Sequence, residues 1–435
     1  MSFVGTDIVL LILYMTIIGA AIGTFSGLVP GIHVNTLAAM MLAGYPFLVD
    51  LFSPFIPSDL LPLCVASCIM SASIVHSFVD YVPSVFIGAP DPDDIMSALP
   101  GHRLLLEGRG MAAVRSAAIG SCVGSCVSIA IAIPLQLILI SGLSDYLDSI
   151  TAVVLISVIL LMIFHEKEPR RMAWCTAIII LSGLLGLACM DLDIPSSGLL
   201  DEGTLLFPML TGLFGMPALL ESLRNPRIEE QKDDERYPVG PIPGIKGVLT
   251  GALTGWFPGI TSTTGAILSD SVTPERTPEG FIAMTASIGT SASIIMLVTM
   301  SITGHGRSGT MIIIGDILGD SIMGPMNGFF IVLLLTAAIA AFLGYHSTII
   351  CGKLMSKIIN NIDTLLLNKL CILLILALVF LITGPYGLMI LFISTLMGFL
   401  PVRLGISRVY LTGCLLIPAL LSSLLIRDTV VSFLL

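Results

Sequence analysis

Charged residues are scarce in this sequence. Only 11% of its 435 residues are Asp, Glu, Lys or Arg, whereas 55% are hydrophobic and the mean hydropathy is +1.02. A soluble domain of this size needs far more charge to cover its surface. Apolar runs long enough to cross about 30 Å of hydrocarbon recur from end to end. The composition therefore predicts an all-α polytopic membrane protein, and the formal net charge of −10 gives no indication of nucleic-acid binding.

Motifs of the common enzyme classes are also missing. The sequence has no phosphate-binding P-loop, no Gly-x-Ser-x-Gly nucleophile elbow and no His-Glu-x-x-His metal motif. Its nine cysteines lie nearly all within apolar runs. The i,i+4 pairs Cys64/Cys68 and Cys122/Cys126 have no further ligands at metal-binding spacing. We therefore expect a protein that is not an enzyme, has no cofactor or metal, and uses its cysteines as small packing residues.

What the sequence does contain is one motif that occurs twice. Residues 25–36 read FSGLVPGIHVNT, and residues 253–264 read LTGWFPGITSTT, a little over half the chain length further on. Each copy interrupts an apolar segment with Pro-Gly and resumes on small polar residues. A helix does not run cleanly through Pro-Gly, because Pro lacks an N–H and Gly loosens the backbone. The pattern predicts interrupted or re-entrant helices, with side-chain oxygens near the first turn of each new helix.

Paired breaks of this kind are typical of the substrate site of a secondary transporter. Irregular backbone is tolerated in a bilayer only where protein or a water-filled cavity surrounds it, and a helix that begins there directs free N–H groups at an anion. A single Pro-Gly could be a mere kink; two copies followed by hydroxyl or amide side chains favour a site. The predicted substrate-binding residues are Pro30, Gly31, His33, Asn35, Thr36, Pro258, Gly259, Thr261, Ser262, Thr263 and Thr264.

Two of the histidines have different contexts. His33 directly follows the first Pro-Gly, so it could donate to an anion or carry a coupled proton. A neutral histidine bonded to a backbone carbonyl fits the same position equally well. His76 lies within an apolar segment without such a context, and we interpret it as structural.

A second polar cluster is predicted downstream of the second motif. His305 and Arg307 lie among glycines between two apolar segments, and Asp316 and Asp320 follow within an apolar, glycine-rich stretch. Arg307 could bind an anionic substrate or pair with one of these carboxylates, which share a face if a helix continues through them. The alternative is a short loop at the membrane surface. We assign these four residues to ion coupling, with Na⁺ or H⁺, or to counter-charge.

The distribution of charge among the loops predicts the topology. Loops with Lys and Arg alternate with loops that have only acids, so the positive-inside rule places the first set, including the polar linker 224–244, in the cytoplasm. No Lys or Arg precedes the first apolar run, which we interpret as a first span starting outside, not a signal peptide. The two motifs are then entered from opposite sides. This predicts two inverted-topology repeats, 1–223 and 224–435.

At these motifs the chain resembles the TctA family, the large membrane subunit of tripartite tricarboxylate transporters. The resemblance is carried by GLVPGI at 27–32 and GWFPGI at 255–260 and suggests a divergent prokaryotic, archaeal branch. It implies a transporter of the prokaryotic cell membrane, with a binding protein and a small membrane subunit as partners. The chain departs from the family pattern at His33 and Thr261, where a further glycine is usual. A looser similarity joins residues 258–265 to polyprenyl-phosphate translocases.

Motifs and resemblance together predict a permease, a secondary transporter for a small organic anion, of the carboxylate class. The anion would bind between the two Pro-Gly half-helix motifs and move by alternating access. The alternative is a translocase, or flippase, for a polyprenyl-phosphate lipid carrier, since a lipid phosphate would use the same helix ends. The sequence does not name the substrate. It also leaves the accessory subunits and the formation of a homo-oligomer as open alternatives.

Overall fold

A computed structural model describes residues 5–29, 42, 45, 49–50, 56–57, 60–87, 95–191, 205–223, 229–233, 237–257, 260, 262–359 and 364–434. Most of these residues are helical, and none of them lies in a strand. The helices are α1 Gly5–Leu28, α2 Leu61–Val79, α3 Tyr81–Phe86, α4 Ile95–Leu106, α5 Gly110–Ile138, α6 Ser144–Ser149, α7 Thr151–His165, α8 Pro169–Asp191, α9 Leu206–Leu210, α10 Met216–Ser222, α11 Ile242–Trp256, α12 Ser262–Val272, α13 Pro278–Thr303, α14 Gly309–Leu318, α15 Gly328–Ile359, α16 Thr364–Gly398, α17 Leu400–Leu404, α18 Gly413–Ser423 and α19 Arg427–Leu434.

Within the described residues, seven helical segments are long and apolar enough to cross a membrane. They are Ile8–Leu28, Leu61–Phe86, Gly110–Leu143, Pro169–Asp191, Pro278–Thr303, Gly328–Ile359 and Thr383–Leu404. The segments at Leu61–Phe86 and Pro278–Thr303 are the most enclosed by protein, whereas the others leave large apolar side chains exposed, as lipid contact requires. The chain is thus an all-helical, multi-pass membrane protein.

Small residues bring the helices into close parallel pairs. A Cβ added to Gly19 of α1 would lie 2.2 Å from the carbonyl oxygen of Cys68 in α2, and one at Gly23 would lie 2.4 Å from that of Ala72. The contact residues rise in number together along both helices, so α1 and α2 run parallel. The same holds for α11 and α13, where Gly251 packs on Ser291. Without a hydrophobic drive between helices in lipid, such backbone contact is what holds a bundle together.

The two halves are joined through α5, which lies parallel to α13 and antiparallel to α15. Gly120 packs on Ala283 of α13, where an added Cβ would meet the carbonyl oxygen at 2.0 Å. Gln136, near the end of α5, accepts from the N–H of Met326 just before α15 (2.9 Å). At the other end, Gly352 of α15 packs on Met111 at the start of α5. The helices α5 and α15 therefore run in opposite directions.

Helices α11 and α12, which precede and follow the second Pro-Gly motif in the sequence, form a hairpin. The chain rises through α11 and returns through α12, because Gly265 packs on Thr254 near the tip while Lys246 and Glu275 form an ion pair near the base. The predicted interrupted helix is therefore confirmed at this copy. Pro258, Gly259 and Thr261 themselves lie outside the described residues.

The bundle has two chemically different ends. The end that carries Arg109, Arg115 and Lys357, here called the basic face, also holds the described linker segment 229–233, where Arg115 pairs with Asp233 (2.8 Å). The other end, the opposite face, holds Asp148, Asp191, Arg307 and Arg427 in two further ion pairs. A cytoplasmic location for the basic face and its linker stays a prediction from the charge rule.

Candidate functional site

The candidate site is a cavity of about 1170 Å³ between the two halves. Its walls come from α2, α13, the tip of the α11–α12 hairpin, the loop that joins α13 to α14, and the end of α18. It reaches the surface at the opposite face, since its lining there includes the half-exposed Asp148 and Leu425, which is 92% exposed. None of the described residues at the basic face lines it.

The wall from the first half is a polar stripe on α2. Ser73, His76, Ser77 and Asp80 line the cavity, and their spacing of three to four residues puts them on one helix face. His76 is buried, and its Nδ1 is hydrogen-bonded to the hydroxyl of Ser26 in α1 (2.9 Å). Asp80 is a buried carboxylate inside an apolar span. Ionisable groups at this depth are expensive and typically lie along substrate or ion pathways.

The wall from the second half includes the tip of the hairpin. Thr254, Phe257, Ile260 and Ser262 line the cavity, and Ser262 is the first residue of α12. The start of this helix therefore lies at the cavity. Thr264, another predicted residue, is fully buried and is not part of the lining.

The loop between α13 and α14 brings two predicted side chains to the same cavity. Gly304 ends α13 in the left-handed conformation (φ +70°), which a side chain would disfavour, and Ser308 caps α14 by accepting from the N–H of Met311. Between these two turns, His305 and Arg307 line the cavity. Arg307 donates to Asp148 (2.7 Å), and its Cζ lies 5.0 Å from the centre of the Trp256 ring.

The structure does not bring all predicted residues together. Asp316 and Asp320 are exposed and do not line the cavity. The α14 helix ends at Leu318 and Gly319 has a positive φ of 53°, so the two carboxylates do not share a helix face. The described partner of Arg307 is Asp148 in the first half.

Predicted residues of both Pro-Gly motifs lie outside the description. For the first motif these are Pro30, Gly31, His33, Asn35 and Thr36, and for the second they include the side chain of Thr263. The end of α1 nevertheless locates where the first motif begins, because Gly27 packs against Val79 and the carbonyl oxygen of His76. The first motif thus starts beside the α2 wall.

Several lining residues were missed from the sequence. His76 was interpreted as structural, yet it lines the cavity together with Asp80, Ser73 and Ser77. A signal was present, since Asp80 is the only acidic residue in the segment 60–85, and an intramembrane carboxylate is a functional-site hypothesis by default. No comparable signal marked Asp148, which lies among ordinary loop acids.

Comparison with known proteins bears on this geometry. The tripartite tricarboxylate transporter TctA family matches residues 13–413, which is nearly the whole chain. The chain belongs to the TctA family. It is also 29% identical over 306 residues to "Uncharacterized protein MJ1079" of Methanocaldococcus jannaschii, a match that covers 68% of this chain and 70% of that protein. No solved structure matches the chain.

Family membership confirms the coarser part of the functional prediction. The chain is a component of a transporter of the tricarboxylate type, and this is a transporter family, not an enzyme family. Members of this family work with a binding protein and a small membrane subunit, which indicates partner subunits of this general kind. The match does not favour the lipid-carrier translocase that the looser similarity had suggested.

Proposed function

We propose that this TctA-family chain moves a small organic carboxylate through the cavity between its halves by alternating access. The observation that carries the proposal is the convergence on one cavity of two nitrogen-bearing side chains, His305 and Arg307, with the start of helix α12 at Ser262. Guanidinium groups bind carboxylates through charge-assisted hydrogen bonds, and a helix start adds N–H groups of the same polarity. The absence of a nucleotide-binding motif makes secondary transport the fitting class.

We further propose that both Pro-Gly motifs contribute to one composite anion site. The second motif lies at the cavity through Ser262, and α1 delivers the first motif beside His76 and Val79. The antiparallel course of α5 and α15 supports an inverted relation between the halves. In that arrangement the N–H groups after Pro30 and Pro258 would approach the substrate from opposite sides.

The coupling ion, Na⁺ or H⁺, needs a carboxylate within reach of the cavity. The sequence assigned this role to Asp316 and Asp320 together with His305 and Arg307. Asp80 fits it better by position, because it is buried and lines the cavity whereas Asp316 and Asp320 are exposed. We propose Asp80 as the coupling carboxylate, with the neighbouring hydroxyl of Ser77 as an additional oxygen ligand or proton partner.

Uptake of labelled carboxylates into proteoliposomes tests the function directly, with citrate as the first substrate under an imposed Na⁺ or H⁺ gradient. Ser262→Ala should weaken substrate binding about tenfold, the equivalent of losing one charge-assisted hydrogen bond of about 1.5 kcal/mol. Ser423, at the end of α18, lines the edge of the cavity and not the start of α12. Ser423→Ala is therefore the matched control for loss of a hydroxyl and should leave affinity unchanged. Failure to take up any carboxylate, with and without added binding protein and small subunit, would contradict the proposal.

A further inference from the structure

An ion pair joins the two halves across the mouth of the cavity. Nη2 of Arg307, from the second half, donates to Oδ1 of Asp148, from the first half, at 2.7 Å. The two partners differ in environment, since the Arg307 side chain is 13% exposed and that of Asp148 is 48% exposed. Both line the cavity. The cation is therefore held by its surroundings, whereas the carboxylate lies at the edge of the solvent.

The ring of Trp256 supports the guanidinium of Arg307, and among the described residues one of its donors has no acceptor. Its plane is supported by the ring of Trp256, which is 3% exposed and lies 5.0 Å from Cζ. Within the described chain no group accepts from the buried Nε–H of Arg307, and none accepts from the buried indole N–H of Trp256. Buried donors without an acceptor are uncommon in native proteins. Asp148 thus uses only part of the donor set that this site presents.

Asp148 lies on a short helix, with its carboxylate at the edge of the solvent. It lies on the six-residue helix α6, which follows a π-helical turn at Leu139–Leu143 where Gly142 has a φ of +107°. Its carboxylate has the same chemistry as the substrate class proposed above, and it contacts the guanidinium that a substrate carboxylate would need. A substrate carboxylate that binds Nε and Nη2 together would compete with Asp148 for the donors of Nη2.

We propose that Asp148 is an intramolecular competitor for the substrate. Its carboxylate neutralises Arg307 in the empty cavity and is displaced when a substrate carboxylate binds there, which also releases one of the two described ion pairs between the halves at the opposite face. This inference rests on the proposed function. It predicts that removing the Asp148 charge strengthens substrate binding, the reverse of the effect expected for an ordinary binding-site residue.

Trp256 provides the measurement, because the chain has two tryptophans and Trp174→Phe leaves Trp256 as the sole indole reporter beside Arg307. In that background, purified full-length protein is titrated with citrate and Kd is read from the fluorescence. Asp148→Asn should lower Kd about tenfold, the size expected when one competing charge-assisted bond is removed. Asp148→Ser should do the same. Asp428→Asn, an exposed carboxylate on α19, is the matched charge control and should leave Kd unchanged.

A double-mutant cycle separates competition from a structural effect. Arg307→Gln should weaken citrate binding, and Asp148→Asn added to it should have no further effect, because the group for which it competes is gone. Equal or weaker binding in both Asp148 variants, with Arg307→Gln still defective and melting temperatures unchanged, would overturn the competitor role and leave the proposed function intact. If neither the parent protein nor any variant binds or transports a carboxylate, the proposed function fails instead.

Discussion

The two ends of the bundle hold the halves together in different ways. On the basic face, the described residues form three ion pairs between the halves, and a segment of the linker is seated between helices. Those pairs are Arg109–Glu279, Arg115–Asp233 and Arg408–Glu221. On the opposite face, the described residues form two such pairs, Arg307–Asp148 and Arg427–Asp191, and the cavity opens beside them.

The seated linker makes the basic face the more tightly closed end. Gln231 is buried, accepts from the N–H of Gly110 (2.9 Å) and donates to the carbonyl of Leu105 (2.9 Å). The Asp233 carboxylate accepts hydrogen bonds from both Nε and Nη2 of Arg115. These contacts fasten the linker across the start of α5. The cavity is therefore open at the opposite face and closed at the basic face. Transport by alternating access would require the basic-face contacts to separate.

The largest effect should come from disrupting the contact between α5 and α13, which joins the two halves. Gly120→Ala places a Cβ 2.0 Å from the carbonyl oxygen of Ala283, so the α5–α13 backbones have to move apart at a cost of about 1–3 kcal/mol. We expect a lower melting temperature and a smaller monodisperse fraction in detergent. Gly328→Ala at the start of α15 meets nothing within 4 Å and is the control. An unchanged melting temperature in Gly120→Ala would show that this contact does not join the halves.

The next effect compares the buried carboxylate of Asp80 with the exposed carboxylates of Asp316 and Asp320. Asp80→Asn should abolish ion-driven accumulation of substrate while exchange across the membrane continues, because the neutral amide no longer binds the coupling ion. Asp316→Asn and Asp320→Asn should accumulate substrate normally, since both side chains are exposed away from the cavity. Counterflow and gradient-driven uptake in the same proteoliposomes provide the measurement. Loss of accumulation in the Asp316 and Asp320 variants alone would return the coupling site to the position that the sequence predicted.

The smallest effect should come from loosening the basic face. Gln231→Leu removes the side chain that is hydrogen-bonded to the N–H of Gly110 and the carbonyl of Leu105, which weakens the attachment of the linker by about 0.5–1.5 kcal/mol. The population should shift towards a state open at the basic face. We would measure maleimide labelling of Ser293→Cys, a cavity residue, from each side of sealed vesicles after replacement of the native cysteines. Glu230→Gln, exposed on the same segment, is the control. Identical labelling from the basic face in both variants would show that the linker is not part of the closure.

The sequence by itself determined the class of protein, the interrupted helix and the polar side chains of the loop between α13 and α14. Composition dictates a membrane protein because so few charges cannot solvate a domain of this size. The Pro-Gly of the second motif predicts a helix break, and α11 ends before it at Trp256 while α12 begins after it at Ser262, although Pro100-Gly101 lies within α4. His305 and Arg307 were also selected from their glycine-rich context, and both line the cavity. These features are local, so a short stretch of sequence is enough to specify them.

Only the tertiary structure decided which local features meet. Arg307 and Asp148 are 159 positions apart, and their contact depends on how α5, α13 and the loops after them pack. Asp316 and Asp320 have the spacing of one helix face, but the helix ends at Leu318, and spacing alone does not report where a helix stops. Asp80 and His76 became cavity residues because small residues let α1 pack closely on α2 and leave the polar stripe of α2 facing the second half. Helical periodicity fixes which residues share a face; packing between helices, which depends on contacts distant in sequence, decides what that face meets.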